Sequence, residues 1–423
     1  MNDPRTLREL SCADDYDPNS MPVERARALI RQFLKPITTI ERVHIRHALD
    51  RILAEDITSP IDVPGHDNSA MDGWAVRFED LKTAGATTLT RVGESFAGKP
   101  YGGALGPGEA VRIFTGAVMP EGADTIVMQE RATELSGGVS IAPGAVSKAG
   151  QNRRFAGEDL KRGALVFRAG QPLRPAELGM LASLGINEVG VYRKLRVAFF
   201  STGDELKSIG HPLDVGQIYD SNRYTLYGML TRLNCDIVDM GVVPDAPEAL
   251  ERAFETAAGN ADVVITSGGV SVGEADFVKQ LLDKLGEVLF WKIAMKPGRP
   301  LAYGKIGRAH FFGLPGNPVS VMVTFYEFVR DALLVLQGRA DVVPIPMFKA
   351  KLAASIRKAP GRTEFQRGIL APDDAGGWQV RTTGDQGSGI LSSMSRANCF
   401  IVLGADTGNV QAGEAVDVQL LEG

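Results

Sequence analysis

Four stretches of the sequence combine glycine with residues able to handle phosphate or a divalent ion. Residues 201–205, Ser-Thr-Gly-Asp-Glu, put the carboxylates of Asp204 and Glu205 side by side in a tight turn. Residues 267–276 place Gly268, Gly269 and Ser271 ahead of Asp276. Residues 296–300, Lys-Pro-Gly-Arg-Pro, carry Lys296 and Arg299, with Lys292 just before them. Residues 313–320, Gly-Leu-Pro-Gly-Asn-Pro-Val-Ser, hold Gly316 and Asn317. Glycine lets backbone N–H groups come close to an anion, and a helix N-terminus adds about half a positive charge, so such loops can cradle phosphate. Lys292, Lys296 and Arg299 supply neutralising charge. Glu205, Asp245 and Asp276 offer hard oxygens suited to Mg²⁺, which bridges protein carboxylates and substrate phosphates. The set predicts a nucleotide or pyrophosphate site with a divalent ion. Taken singly, a glycine-rich loop is most often a plain turn and Asp245 a surface acid; the reading rests on convergence.

Other motifs carry less. Residues 93–100 nearly match the Walker A spacing, but Pro100 stands where a Mg²⁺-holding hydroxyl is needed, so a β-turn is expected. His44 and His47 lack a third ligand nearby and read as a satisfied or exposed pair. There is no GxSxG elbow, HExxH or dinucleotide fingerprint. Cys12, Cys235 and Cys399 are odd in number and widely spaced, which fits neither a disulfide framework nor a cysteine zinc site.

The loops need elements to hold them. From residue 195 to about 337, strand-like runs alternate with helical ones, the pattern of a doubly wound α/β sheet whose ligands bind beyond the carboxyl ends of parallel strands. Strand runs are expected at 195–200, 236–240, 262–266, 288–294 and 309–312. Before this block, residues 59–150 show short β-branched runs punctuated by glycine, a small β unit; after Pro344 and Pro346, short strands return as a small β-barrel. Apolar positions from Val23 to Phe33 recur at helical spacing.

The 423 residues suffice for two to four folded units. Lys+Arg 46 against Asp+Glu 51 leaves a net charge of −5, so no global basic field exists to hold nucleic acid or an anionic membrane. Residues 1–20 form an acidic, polar tail without the apolar core of a signal peptide, and no apolar run approaches the ~20 residues of a membrane helix. A soluble, cytoplasmic protein is expected.

The segments Pro64 to Gly73, Ile113 to Ala117, Gly157 to Asp159, Ser201 to Leu206, Thr266 to Asp276 and Gly313 to Ser320 together resemble the molybdopterin molybdenumtransferase (MoeA) family, related to the E domain of gephyrin. The likeness runs from about Met21 to the end. It implies a multidomain α/β plus all-β protein with a flexible tail (1–20), a discontinuous elongated domain (21–58 and 159–190) and a small β-rich domain (59–158). An α/β molybdopterin-binding domain similar to the adenylyltransferase fold (191–340) and a C-terminal barrel (341–423) complete it. The implied reaction inserts molybdate into adenylylated molybdopterin, with Mg²⁺ assisting and AMP released, in a homodimer with shared clefts and in transient contact with the molybdopterin adenylyltransferase.

By the same resemblance the functional positions are Asp72, Thr115, Asp159, Glu205, Asp245, Asp276, Lys292, Lys296, Arg367 and Ser388. Asp72 and Thr115 would act from the second subunit. Lys292, Lys296, Arg299, Arg367 and Ser388 are the donors for an oxyanion, and Glu205 and Asp276 the ligands of Mg²⁺. Asp72 and Asp245 are either water-positioning or structural. Three positions depart from the family pattern: Trp74 for tyrosine, Asp385 for histidine and Arg299 for lysine. Two other readings remain, a catalytically inactive scaffold of the same fold and a molybdopterin adenylyltransferase.

Overall fold

The computed structural model describes residues 20–269 and 276–421. Ser271 and nearly all of the acidic tail lie outside the described residues, as does the side chain of Asp276.

The sheet domain contains β1 (Arg196–Thr202), β2 (Asp236–Val243), β3 (Val263–Ser267), β4 (Gly286–Lys292), β5 (Pro300–Ile306) and β6 (Ala309–Leu314), in the spatial order β2-β1-β3-β6-β5-β4. Its helices are α1 (Ser221–Arg232), α2 (Pro247–Asn260), α3 (Asp276–Leu285) and α4 (Pro318–Thr324). Side chains along a strand alternate between faces, and the two cores divide accordingly. Val197, Phe199, Ile265 and Phe312 pack with Leu226 and Leu230 of α1, whereas Ala198, Phe200, Val264 and Phe311 pack with Leu250 and Phe254 of α2. The sheet is therefore doubly wound, as expected.

It is not wholly parallel. β5 is antiparallel to both β6 and β4, and it was not anticipated from the sequence. Two reversals restore the original direction, so β4 points the same way as β6 and the Lys296 loop still emerges at the edge shared by β1, β3 and β6. The helix Val23–Phe33, grouped from the sequence with the elongated unit, buries Val23, Ala26, Leu29 and Ile30 in the same core as Val197 and Phe199.

The elongated unit joins two distant stretches. Ile40–His44 pairs antiparallel with Glu188–Tyr192, Ile57–Thr58 pairs with Leu165–Phe167, and Leu53, Leu173, Leu181 and Val191 fill the core between them. His44 Nδ1 accepts from the N–H of Arg46 at 3.2 Å, a local capping bond. In the small β domain six strands form one sheet; Trp74 is buried on one face with Arg112 over its ring, and Ala75 lies on the other. The Walker-like segment is a tight turn in which Phe96 and Lys99 exchange two backbone hydrogen bonds of 3.0 Å.

In the C-terminal domain, Thr363–Pro372, Trp378–Thr382, Met347–Leu352, Ala415–Leu420 and Cys399–Leu403 close into a five-stranded barrel around Leu352, Val380, Ile401 and Val418. A further short strand from the sheet domain, Met295–Lys296, runs parallel to Thr363–Pro372, with Lys296 opposite Glu364. Among the described residues, no helix is long and apolar enough to cross a membrane.

Candidate functional site

The carboxyl ends of β1, β3 and β6 open into a cleft of about 880 Å³, whose far wall comes from residues 296–300 and from residues 386–389 of the barrel domain. Glu205, Asp245, Gly268, Gly269, Lys296, Arg299, Gly316, Asn317 and Ser388 all line it. The convergence expected of the four loops is present.

Close approach explains the glycines. Gly268 has φ +93°, and a Cβ there would fall 2.5 Å from the Thr202 carbonyl oxygen, so only glycine allows the β1 and β3 loops to touch. Its N–H is already spent on the Leu314 carbonyl at 3.1 Å, so Gly268 contributes shape rather than an anion donor. At Gly203, φ +149°, a Cβ would lie 2.6 Å from Glu205 Oε2, which places that carboxylate over the turn. Thr202 Oγ1 donates a short hydrogen bond to Asp245 Oδ1, fixing the second acid.

The cationic side is held by the barrel. Lys296 Nζ lies 3.7 Å from Glu364 Oε1; the lysine is half exposed and the glutamate buried. Gly298, φ +91°, packs so tightly on α4 that a Cβ would meet Thr324 Oγ1 at 2.6 Å. The Ser388 carbonyl accepts from the N–H of Val319 at 3.1 Å, docking the barrel loop onto the start of α4.

Arg367 takes a different place from the oxyanion donor expected. Its side chain is buried beneath that loop, with Nε donating to Ser393 Oγ at 2.9 Å and Nη2 to the Gly387 carbonyl at 2.9 Å. Its backbone N–H donates to Gln386 Oε1 at 2.7 Å. Burial pulls the guanidinium down to about 10, which leaves it charged at neutral pH. It braces the segment that presents Ser388.

Four other expected residues stand apart from the cleft lining. Lys292 ends β4, where its carbonyl accepts from the N–H of Met21 at 2.7 Å. Asp159 is exposed, its N–H bonded to the Val63 carbonyl at 3.0 Å. Asp72 and Thr115 are a bonded pair on the small β domain: Asp72 Oδ1 accepts from the Thr115 N–H and hydroxyl, each at 2.7 Å. Those two bonds hold the Asp72 carboxyl below the usual range.

Asp220 and Asn222 are among the cleft residues that went unnoticed in the sequence. Asp220 caps α1 by accepting from the N–H of Arg223 at 3.1 Å. The Asp-Ser-Asn run ahead of a helical stretch carries that capping signal. Among the described residues no cluster of three acids, histidines or cysteines forms a metal cage. Mg²⁺ commonly takes one or two carboxylates and completes its shell with water and phosphate oxygens, so Glu205 and Asp245 in one cleft fit it.

Three family descriptions match the chain: MoeA N-terminal region (domain I and II) over residues 21–185, probable molybdopterin binding domain over 198–335, and MoeA C-terminal region (domain IV) over 349–421. The chain is 48% identical to a molybdopterin molybdenumtransferase of Haemophilus influenzae, across 94% of this chain and 98% of that one. It is 33% identical to gephyrin of Dictyostelium discoideum over 95% of this chain and 62% of that protein. A crystal structure of a molybdopterin biosynthesis MoeA protein from Pyrococcus, 34% identical, superposes with a TM-score of 0.80 over 96% of this chain and 100% of that one.

Proposed function

The chain belongs to the molybdopterin molybdenumtransferase family, the MoeA proteins, and is a transferase of molybdenum cofactor synthesis; from that premise we propose how its cleft works. The substrate is adenylylated molybdopterin, whose diphosphate lies across the loops after β3 and β6. Molybdate enters on the side of Lys296, Arg299 and Ser388. Water attacks one phosphorus of the diphosphate bridge, the bridging P–O bond breaks and AMP leaves, while molybdate gives up two oxygens as water as the two sulfurs of the pterin side chain bind molybdenum. The observation that carries this reading is the meeting of the Glu205 and Asp245 carboxylates and the Lys296 and Arg299 cations with glycine-rich loops in one cleft.

Lys296 and Arg299 offset charge on the leaving phosphate and on the molybdate dianion. Glu205 and Asp245 would hold Mg²⁺, which would supply positive charge to offset that of the phosphates. Asp245 keeps its orientation through Thr202, and Ser388 through Arg367 and Val319. Asp72, half-buried, and Thr115, exposed, lie off their own chain's cleft, which supports a homodimer in which a second copy brings them to it. The dimer works in the cytoplasm beside the adenylyltransferase that makes its substrate.

The full-length protein, given adenylylated molybdopterin, molybdate and Mg²⁺, is expected to release AMP. Glu205→Ala should cut that release at least ~100-fold while shifting the melting temperature by no more than a few degrees, because an exposed carboxylate contributes little to stability. Undiminished release by the variant would overturn the assignment, and binding without any turnover by the unmodified protein would favour the inactive scaffold.

A further inference from the structure

Asn222 is buried at the start of α1, and its side-chain amide reaches two of the glycine-rich loops at once. Nδ2 donates to Ser267 Oγ at 2.7 Å, at the end of β3, and to the Gly316 carbonyl at 2.6 Å, in the loop after β6. A carbonyl only accepts, so the bond to Gly316 fixes which end of the amide is the NH₂ group. Both donors of that group are thereby used, while Oδ1 is buried with no partner among the described residues. Leaving a buried amide oxygen unsatisfied is unfavourable, and a side chain chosen only to fill space would not incur that cost.

We infer that Asn222 is a positioning residue for the transfer reaction: it clamps the β3 and β6 loops at the separation that the diphosphate requires. This rests on the diphosphate reading above. Among the described residues, the two loops also meet through the Gly268 N–H bond to Leu314, which lies at their base. Gly316 sits farther out, where a Cβ would be 3.9 Å from Gly268 Cα. Asn222 therefore controls the mouth of the cradle, and Gly269, Gly316 and Asn317 line the cleft on either side of it.

The test measures AMP binding to the full-length protein by titration calorimetry, together with melting temperature and steady-state kinetics. Asn222→Ala should weaken AMP binding at least ~10-fold and raise KM for adenylylated molybdopterin by a similar factor, with a smaller change in kcat. Asn222→Asp keeps the shape but sets a carboxylate oxygen against the Gly316 carbonyl, so it should bind no better than Asn222→Ala. Ser267→Ala removes one of the two bonds, should give an intermediate loss, and should add nothing when combined with Asn222→Ala. AMP binding unchanged in these variants while melting temperature falls would reduce Asn222 to a packing residue and overturn the inference. Normal binding by Asn222→Asp would do the same. If Asn222→Ala does not fold, Ser267→Ala alone decides: full affinity overturns the clamp. Failure of the unmodified protein to bind AMP would instead overturn the site reading, and the clamp with it.

Discussion

At the scale of single residues, the described part of the chain separates groups held ionised from groups held neutral. Asp72 is kept acidic by Thr115, so Thr115→Val should move its carboxyl upward toward the ordinary range, a titration measurable by NMR. His310 is the opposite case. It is buried against Tyr303, whose hydroxyl lies 3.3 Å from Nδ1, and burial pushes the imidazole from the ordinary 6.5 down to about 4. The folded form thus resists protonation that the unfolded chain accepts. Stability from this source is complete above about pH 6.5 and is lost as pH falls toward about 4, by roughly 3 kcal/mol in all. Denaturant titrations across that window should show the fall, and His310→Gln should flatten it. The residues on the cleft wall were largely legible in the sequence, because glycine, lysine and carboxylate types clustered after expected strands. Asn222 was not: its role depends on two acceptors 45 and 94 residues away.

At the scale of elements, the alternation of strands and helices was readable, and the split of alternate residues between two cores follows from it. β5 was not readable, because proline at its start and a central glycine look like a loop. Gly304 is there for contact: a Cβ would lie 2.1 Å from the Glu287 carbonyl of β4. Arg367 shows a similar limit. Its type suggested an oxyanion donor, yet the fold buries it as a brace. Arg367→Met would leave the Gly387 carbonyl and Ser393 hydroxyl without their donor, at a cost of about 2–4 kcal/mol. Limited proteolysis should then cut residues 385–389 before the rest of the chain opens, and no change in cleavage would remove the bracing role.

At the scale of the whole molecule, chain order hides what pairs with what. The elongated unit forms from strands at Ile40–His44 and Glu188–Tyr192, a pairing that no local pattern announces. The shared cleft proposed above is likewise an arrangement of two copies, and it makes a sharp prediction. Asp72→Ala and Glu205→Ala proteins should each be inactive, yet when unfolded and refolded together about a quarter of the normal sites should recover, since half the dimers are mixed and each mixed dimer carries one intact site. No recovery on mixing would place Asp72 and Glu205 in the same subunit's cleft.

The two-residue strand Met295–Lys296 ties the barrel to Lys296, the lysine proposed to bind substrate, by main-chain pairing with Thr363 and Glu364. A shortened version of this protein ending at residue 340 would therefore forfeit more than its last module. It would free Lys296 from the rail that aims it, so the barrel serves as a jig for the transferase and cannot be treated as a detachable appendage.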